Sequence, residues 1–307
     1  MHLWRPITIR LIQSLVVLWA IYTVTFLMVV AVPGNPFQRE GGRALPPMVE
    51  AGLRQRYGMD SNLRFYFDYL RRLVRGDLGV SLEYRNWTCN QIIADALPVS
   101  MTVGGLAVCI AAVAGLALGV AGGVWRGGVI DRVAMGLTAI GVSVPAFVTG
   151  AILLVALSVV VPLLPAGRWE SPADLWRPAL TLSLLPMAYI ARLTRLGMID
   201  AMASDFVRTA RAKGLPERGV VFRHALPNAL LPVLSYLGPA AAWAMTGSFV
   251  VERVFNIPGL GVHFVNAVLN RDQMLILAVV LVYSTIIVAF NALVDVAYAW
   301  VDPRVRA

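Results

Sequence analysis

An apolar run of about 22 residues at 11–32 sets the first bound on what this chain can fold into. A helix needs roughly 20 apolar residues to cross the bilayer hydrocarbon, and a secretory signal core is shorter. The run therefore reads as an uncleaved first span. A short basic leader, residues 2–10, keeps the N-terminus in the cytoplasm. Further apolar segments follow at 98–125, 133–161, 178–192, 228–250 and 274–300. The third is interrupted at Pro145, where a packing kink and a path-lining kink both fit. The fourth opens at Pro178, carries Pro186, and continues through Arg192 and Arg195 toward a polar loop. Only 14% of the 307 residues are charged and 58% are hydrophobic, whereas a soluble domain carries roughly 25% charged residues. The expected fold is an all-α integral membrane protein with six transmembrane helices.

Charge placement sets the orientation. The segments assigned inside hold 13 Arg and Lys against five acids, a net of +8, and the two short outside loops hold four Arg against four acids. Basic residues accumulate on the cytoplasmic side, so both termini are expected there. The net charge of +9 has no basic stripe interleaved with exposed aromatics, which argues against nucleic acid as a partner.

Residues 33–97 read as an extracytoplasmic subdomain. Amphipathic helices are expected near 47–57 and 62–74, with a turn at Gly76–Gly79. The aromatics Phe65, Tyr66, Phe67 and Tyr69 suggest anchoring at the membrane interface. In the second span Ala107, Ala111, Gly115, Gly119 and Gly123 recur every four residues. Such a small-residue stripe lets another helix approach closely.

Catalytic and nucleotide signatures are missing. The one lysine, Lys213, precedes its glycine, so there is no phosphate-binding loop, and no nucleophile elbow or zinc-helix pattern occurs. Cys89 and Cys109 with His2, His224 and His263 form no metal spacing and read as unpaired thiols and scattered imidazoles. The chain is expected to be no enzyme and to hold no cofactor or metal.

The polar run from Asp205 to Pro232 stands out between apolar segments. Ser204 offers an N-cap and Asp205 an acidic first turn. Phe206 to Lys213 fits about two helical turns, Gly214 a left-handed stop, and Pro216 the first residue of a second short helix. Ala210 and Ala212 keep the first helix slim, and Arg208, Arg211 and Lys213 charge it. A helix that docks into a partner's groove and a plain topology-setting basic loop both fit.

The sequence RTARAKGL, followed by RHALPNALLPVL, resembles the cytoplasmic loop of permease subunits of ATP-binding-cassette (ABC) importers, in their peptide-transporting branch. The general pattern there is Glu-Ala-Ala, three residues, Gly, nine residues, Ile-x-Leu-Pro. Here Arg208, Thr209 and Ala210 stand first, Gly214 supplies the glycine, His224 replaces the isoleucine, and Leu226 and Pro227 close the motif. PGNPF at 33–37, GDLG at 76–79, ALPVS at 96–100, NRD at 270–272 and DPR at 302–304 extend the resemblance over nearly the whole chain.

The resemblance implies the type I importer permease fold, with residues 1–32 as leader and first span, 33–97 as subdomain, and 98–307 as a five-helix core. It implies that Asp205, Phe206, Arg208, Thr209, Ala210, Arg211, Ala212, Lys213, Gly214 and Leu215, within a loop at about 201–227, couple the pore to ATPases, with Ala210 packed against them. The implied partners are a homologous second permease, two cytoplasmic ABC ATPase subunits that bind ATP and Mg²⁺, an extracytoplasmic peptide-binding protein and the lipid of a bacterial inner membrane. Path-lining candidates are Ser235, Tyr236, Trp243, Thr246, Asn291 and Asp295. Pro258, Gly259 and Gly261 are expected to form a tight turn in an outside loop. Dipeptide and nickel permeases share much of the pattern. A stand-alone secondary transporter or channel would need several intramembrane charges or a repeat, and the spans offer one carboxylate, Asp295.

Overall fold

The computed structural model describes residues 4–37, 46–84, 86–156, 160, 169, 171–246 and 249–301, with side chains described between residues 8 and 294. The end of the third span at 157–159, the side chain of Asp295 and the tail 302–307 lie outside the described residues.

Among those residues the regular structure is helical, apart from one isolated bridge between Val80 and Thr88. In order the helices are α1 (Trp4–Ala31), α2 (Pro47–Arg56), α3 (Asn62–Val74), α4 (Cys89–Val124), α5 (Val129–Ser143), α6 (Ala146–Val155) and α7 (Trp176–Met202). Next come α8 (Asp205–Ala212), α9 (Glu217–Ala229), α10 (Leu231–Thr246), α11 (Phe249–Phe255), α12 (Leu260–Leu269) and α13 (Gln273–Val301). Four helical segments are long and apolar enough to cross a membrane, three within α1, α4 and α13 and one, Pro172–Met202, that includes α7. The count rises to six if α5 with α6, and α9 with α10, each form one bent span. This is an all-helical, multi-pass membrane protein.

The break at Pro145 is larger than a kink, because α5 and α6 diverge by 106°. Pro145 lacks an N–H and forces Val144 into an extended conformation (ψ 124°), so the chain turns before the next helix starts. By contrast Pro98, Pro186 and Pro239 sit inside continuous helices. The fifth apolar segment also differs from the sequence reading. Helix α9 begins within the polar loop, passes through a π-helical stretch at Val220–Ala225, and meets α10 at 56°.

Residues 1–99 with 259–288 form one compact unit. Its core is aromatic: Tyr22 and Phe26 of α1 pack on Phe65 and Tyr69 of α3, with the Tyr22 and Tyr69 rings stacked at 5.8 Å. The Tyr22 hydroxyl donates to the Tyr66 carbonyl at 2.8 Å. Phe65 and Tyr69 are thus core residues rather than interfacial anchors, and only Phe67 of that cluster is largely exposed. The period-3.6 spacing of α3 is compatible with either role, and the partner rings that decide it lie 39 and 47 residues away. Asp272 organises the far end of the unit. One carboxylate oxygen accepts from the Ser81 hydroxyl and the Leu82 and Glu83 amides, the other from the Leu275 amide at 3.1 Å. Asp272 therefore caps α13 while fixing the loop after α3.

Residues 100–258 with 289–307 form the second unit. Here the small-residue stripe of α4 meets α7. A Cβ on Gly119 would lie 2.6 Å from the Ala191 carbonyl oxygen, and one on Gly115 would lie 2.8 Å from that of Met187. Lipid is as apolar as the side chains, so this close van der Waals fit, rather than water exclusion, holds such helices together.

Gly119→Ala is therefore expected to lower stability by about 1–3 kcal/mol through overpacking. Gly136→Ala on α5, where an added Cβ meets nothing within 4 Å, should leave stability unchanged or slightly raised. Thermal unfolding of the detergent-solubilised protein checks the pair, and equal effects would contradict the α4–α7 contact.

Candidate functional site

The run from Met202 to Ala229 folds as a helix seated on a helix. Helix α8 is eight residues long, and an isolated helix of that length is unstable in water. Two residues on one face, Val207 and Ala210, are buried. They rest on Met198 and Ala201 of α7 and on Val220, Val221, Ala225 and Ala229 of α9. Burying the valine side chain supplies about 1.5–3 kcal/mol. The apolar positions Val221, Ala225 and Ala229 in α9 have the four-residue spacing that gives one helical face.

Helix α8 ends in a Schellman motif. The Gly214 amide donates to the Arg211 carbonyl at 2.9 Å and the Leu215 amide to the Ala210 carbonyl at 3.3 Å. Gly214 has φ +74°, the left-handed conformation expected from the sequence. Ser204 is extended at the N-cap position, but its hydroxyl donates back to the Ala201 carbonyl instead of capping α8. Pro216 is the N-cap of α9 rather than its first helical residue.

The opposite face of α8 is open. Asp205, Phe206, Arg208, Thr209, Arg211, Ala212 and Lys213 are exposed, as are Gly214 and Leu215 beyond the helix. Phe206 and Leu215 are 44% and 41% exposed, two apolar contacts among basic side chains. Arg211 forms a two-pronged pair with Glu217, with Nη2–Oε1 at 2.6 Å and Nε–Oε2 at 3.2 Å. Donating to the Glu217 carboxylate holds the Arg211 guanidinium above its ordinary pKa. At this exposure the pair is worth about 0–1 kcal/mol; it ties α8 to the start of α9. Beside α9, an apolar groove of about 590 Å³ runs between Val120 and Val124 of α4, with the Trp125 that follows, and Val221 and Phe222 of α9.

Ala210 corrects the sequence reading. It is buried against this chain's own α7 and α9, so it does not offer itself to a partner. Glu217 and the exposed Phe222 belong to the same surface and were missed. The charge at 217, six residues after Arg211 across the glycine stop, was the available signal.

A second anchor lies nearby. Asp131 accepts from Arg195 through both oxygens, at 2.5 and 2.8 Å, and from the Gly127 amide at 2.8 Å. It fixes the turn between α4 and α5 to α7.

Of the path candidates, Ser235 and Trp243 share one exposed face of α10, eight residues apart. Tyr236 is half-buried, with its ring 5.4 Å from Tyr189 of α7, which the sequence reading missed. Thr246 donates to the Ala242 carbonyl, and Asn291 is exposed on α13. Asp295 belongs to α13 by its backbone. Among the described residues, no hydrogen bond or ring contact joins Ser235, Tyr236, Trp243, Thr246 and Asn291 to one another. Glu252 is fully buried and accepts from the Ser100 hydroxyl at 2.7 Å. The turn at Pro258, Gly259 and Gly261 is also corrected. Gly259 has φ −93° and caps α12, and Gly261 lies within that helix. The left-handed residues flanking α12 are instead Asn256 and Arg271.

A family model described as the binding-protein-dependent transport system inner membrane component matches residues 111–307, and its companion N-terminal model matches residues 3–103. The chain belongs to this permease family. It is 41% identical over 300 residues to the oligopeptide transport system permease protein OppB of Salmonella typhimurium, covering 97% of each chain. It is 39% identical over 287 residues to the dipeptide transport system permease protein DppB of Bacillus subtilis, covering 93% of this chain and 92% of that one. A solved structure, the crystal structure of an amino acid ABC transporter with histidines, shares the fold at TM-score 0.53 and 18% identity, over 67% of this chain and 92% of its own. The resemblance read from the loop is borne out at the level of the family.

Ala210→Trp is expected to unseat α8 and destabilise this permease by about 1–3 kcal/mol, with faster tryptic cleavage at Arg208, Arg211 and Lys213. Phe206→Ala should stay within about 0.5 kcal/mol. Thermal unfolding and timed proteolysis measure both; a silent Ala210→Trp would refute the buried seat.

Proposed function

We propose that this chain is one half of a heterodimeric pore in an ATP-driven importer, passing oligopeptides from an extracytoplasmic binding protein into the cytoplasm by alternating access. In this reading six spans cross a bacterial inner membrane with both termini inside, α5–α6 and α9–α10 each counting as one bent span. Residues 33–97 lie outside, and the five later spans form the permease core. A homologous second permease and two ATPases complete the machine, and the ATPases bind ATP and Mg²⁺. The permease itself performs no chemistry.

The observation that carries the reading is the two-faced α8. Its buried face is locked to α7 and α9, while Phe206, Leu215 and the basic residues are presented outward. A push on the outer face would reach α7 through Met198 and Ala201 without first unfolding the loop. The identity to an oligopeptide permease over 97% of both chains supports the cargo. The nearly equal identity to a dipeptide permease supports short peptides as a second cargo.

Phe206→Asp places a charge where an apolar side chain would be desolvated on docking. In liposomes carrying all subunits it should reduce peptide-stimulated ATP hydrolysis and uptake at least about tenfold, as loss of about 1.4 kcal/mol or more implies. Unfolding temperature should not change. Normal stimulation would refute the coupling role, and uptake of nickel but not of di- or pentapeptides would refute the cargo.

A further inference from the structure

The first compact unit contains a second groove that the transport reading does not use. Its volume is about 320 Å³, and it runs between the end of α1 and the start of α13. Its walls are Thr25, Met28, Val29 and Val32 on one side and Ile276 and Val280 on the other. From residue 273 to residue 280 an α-helix rises about 10 Å, so the apolar part extends roughly two turns below the ends of both helices. Arg271 stands at the mouth, beside Gly34. A Cβ on Gly34 would lie 2.5 Å from Arg271 Nη1 and 2.7 Å from Cζ, so the guanidinium covers the bare face of that glycine.

Three observations give this groove a polarity. Arg271 is half-buried, and none of the described residues forms an ion pair with it. It holds φ +56°, a left-handed conformation that glycine or asparagine would adopt more readily. Met28, Val32 and Val268 around the groove are about half exposed or more, so its apolar wall opens sideways at the height of the spanning helices. A fixed cation at the helix ends, above an apolar slot open to hydrocarbon, matches a molecule with an anionic head and a long apolar tail.

We propose that this groove binds one phospholipid, its phosphodiester on the Arg271 guanidinium and one acyl chain along Val29, Val32, Ile276 and Val280. Guanidinium suits this role because its planar fork can meet two phosphate oxygens at once. The lipid would sit between α1 and α13 and steady the ends that Asp272 caps. The proposal stands apart from the peptide cargo and from the role of α8; in the topology proposed above, the site lies in the outer leaflet.

The test uses the assembled complex in nanodiscs of phosphatidylethanolamine doped with phosphatidylglycerol bearing a diazirine on one acyl chain. After illumination, labelled peptides should fall within 25–36 and 271–280. A diacylglycerol probe without phosphate should label this site about tenfold less, as should Arg271→Gln with the phosphatidylglycerol probe, since each removes one charge-assisted contact. Arg271→Lys should retain much of the labelling. Val280→Trp, which fills the slot and leaves the arginine in place, should abolish it even if Arg271→Gln fails to assemble. Equal labelling by both probes, or labelling indifferent to both substitutions, would overturn the proposal. Loss of labelling when peptide-loaded binding protein is added would also overturn it, by giving the arginine to a protein partner.

Discussion

A backbone amide inside a bilayer has no water to bond, and this constraint shapes most of the chain. Each N–H and C=O at hydrocarbon depth must be paired within its own segment, which permits helices and excludes lipid-exposed loops. Where the helices break, the break has a local cause. Pro145 removes a donor and forces its predecessor into an extended conformation, and α5 and α6 part by 106°. The π-helical stretch at Val220–Ala225 lets α9 turn from the polar loop into the apolar segment. Between helices, the bare faces of Gly115 and Gly119 against α7 make the contact close enough for dispersion to hold it.

The loop at Met202–Ala229 follows a different rule. Helix α8 is too short to exist alone, so its shape derives from the seat of Val207 and Ala210 on α7 and α9. The cap at Gly214 and the Arg211–Glu217 pair set where it ends and how it points. Such an element is packed as one piece with the helices beneath it. This property is what a coupling element needs. The fixed turn at Asp131–Arg195, on the same length of α7, extends the rigid piece to α5.

Much of this was legible in the sequence because it rests on local rules. Helices α2 and α3, the stop at Gly214 and the stripe on α4 follow from caps, periodicity and small-residue spacing. Several of the misreadings share one cause, a partner distant in sequence. Ala210 looked available to an ATPase because nothing local says that Val221 and Ala225 lie beneath it. Phe65 and Tyr69 looked interfacial because Tyr22 and Phe26, which bury them, belong to another helix. The PGLG segment looked like a glycine turn, yet Asn256 and Arg271 take the left-handed positions and the glycines start a helix. Glu252 and Asp272 are charges that local rules assign to solvent; each is buried by a serine hydroxyl far along the chain.

The central claim is that α8 is two-faced, with one side held by this chain and the other left for an ATPase. Cysteine cross-linking in the assembled transporter tests it most directly. Single cysteines would be placed at Phe206, Thr209 and Ala210 after replacement of Cys89 and Cys109, and oxidised against a cysteine in the ATPase surface. The account predicts cross-links from positions 206 and 209, varying with the nucleotide state, and none from 210. Cross-linking from 210 as strong as from 206, or none from any of the three, would contradict it.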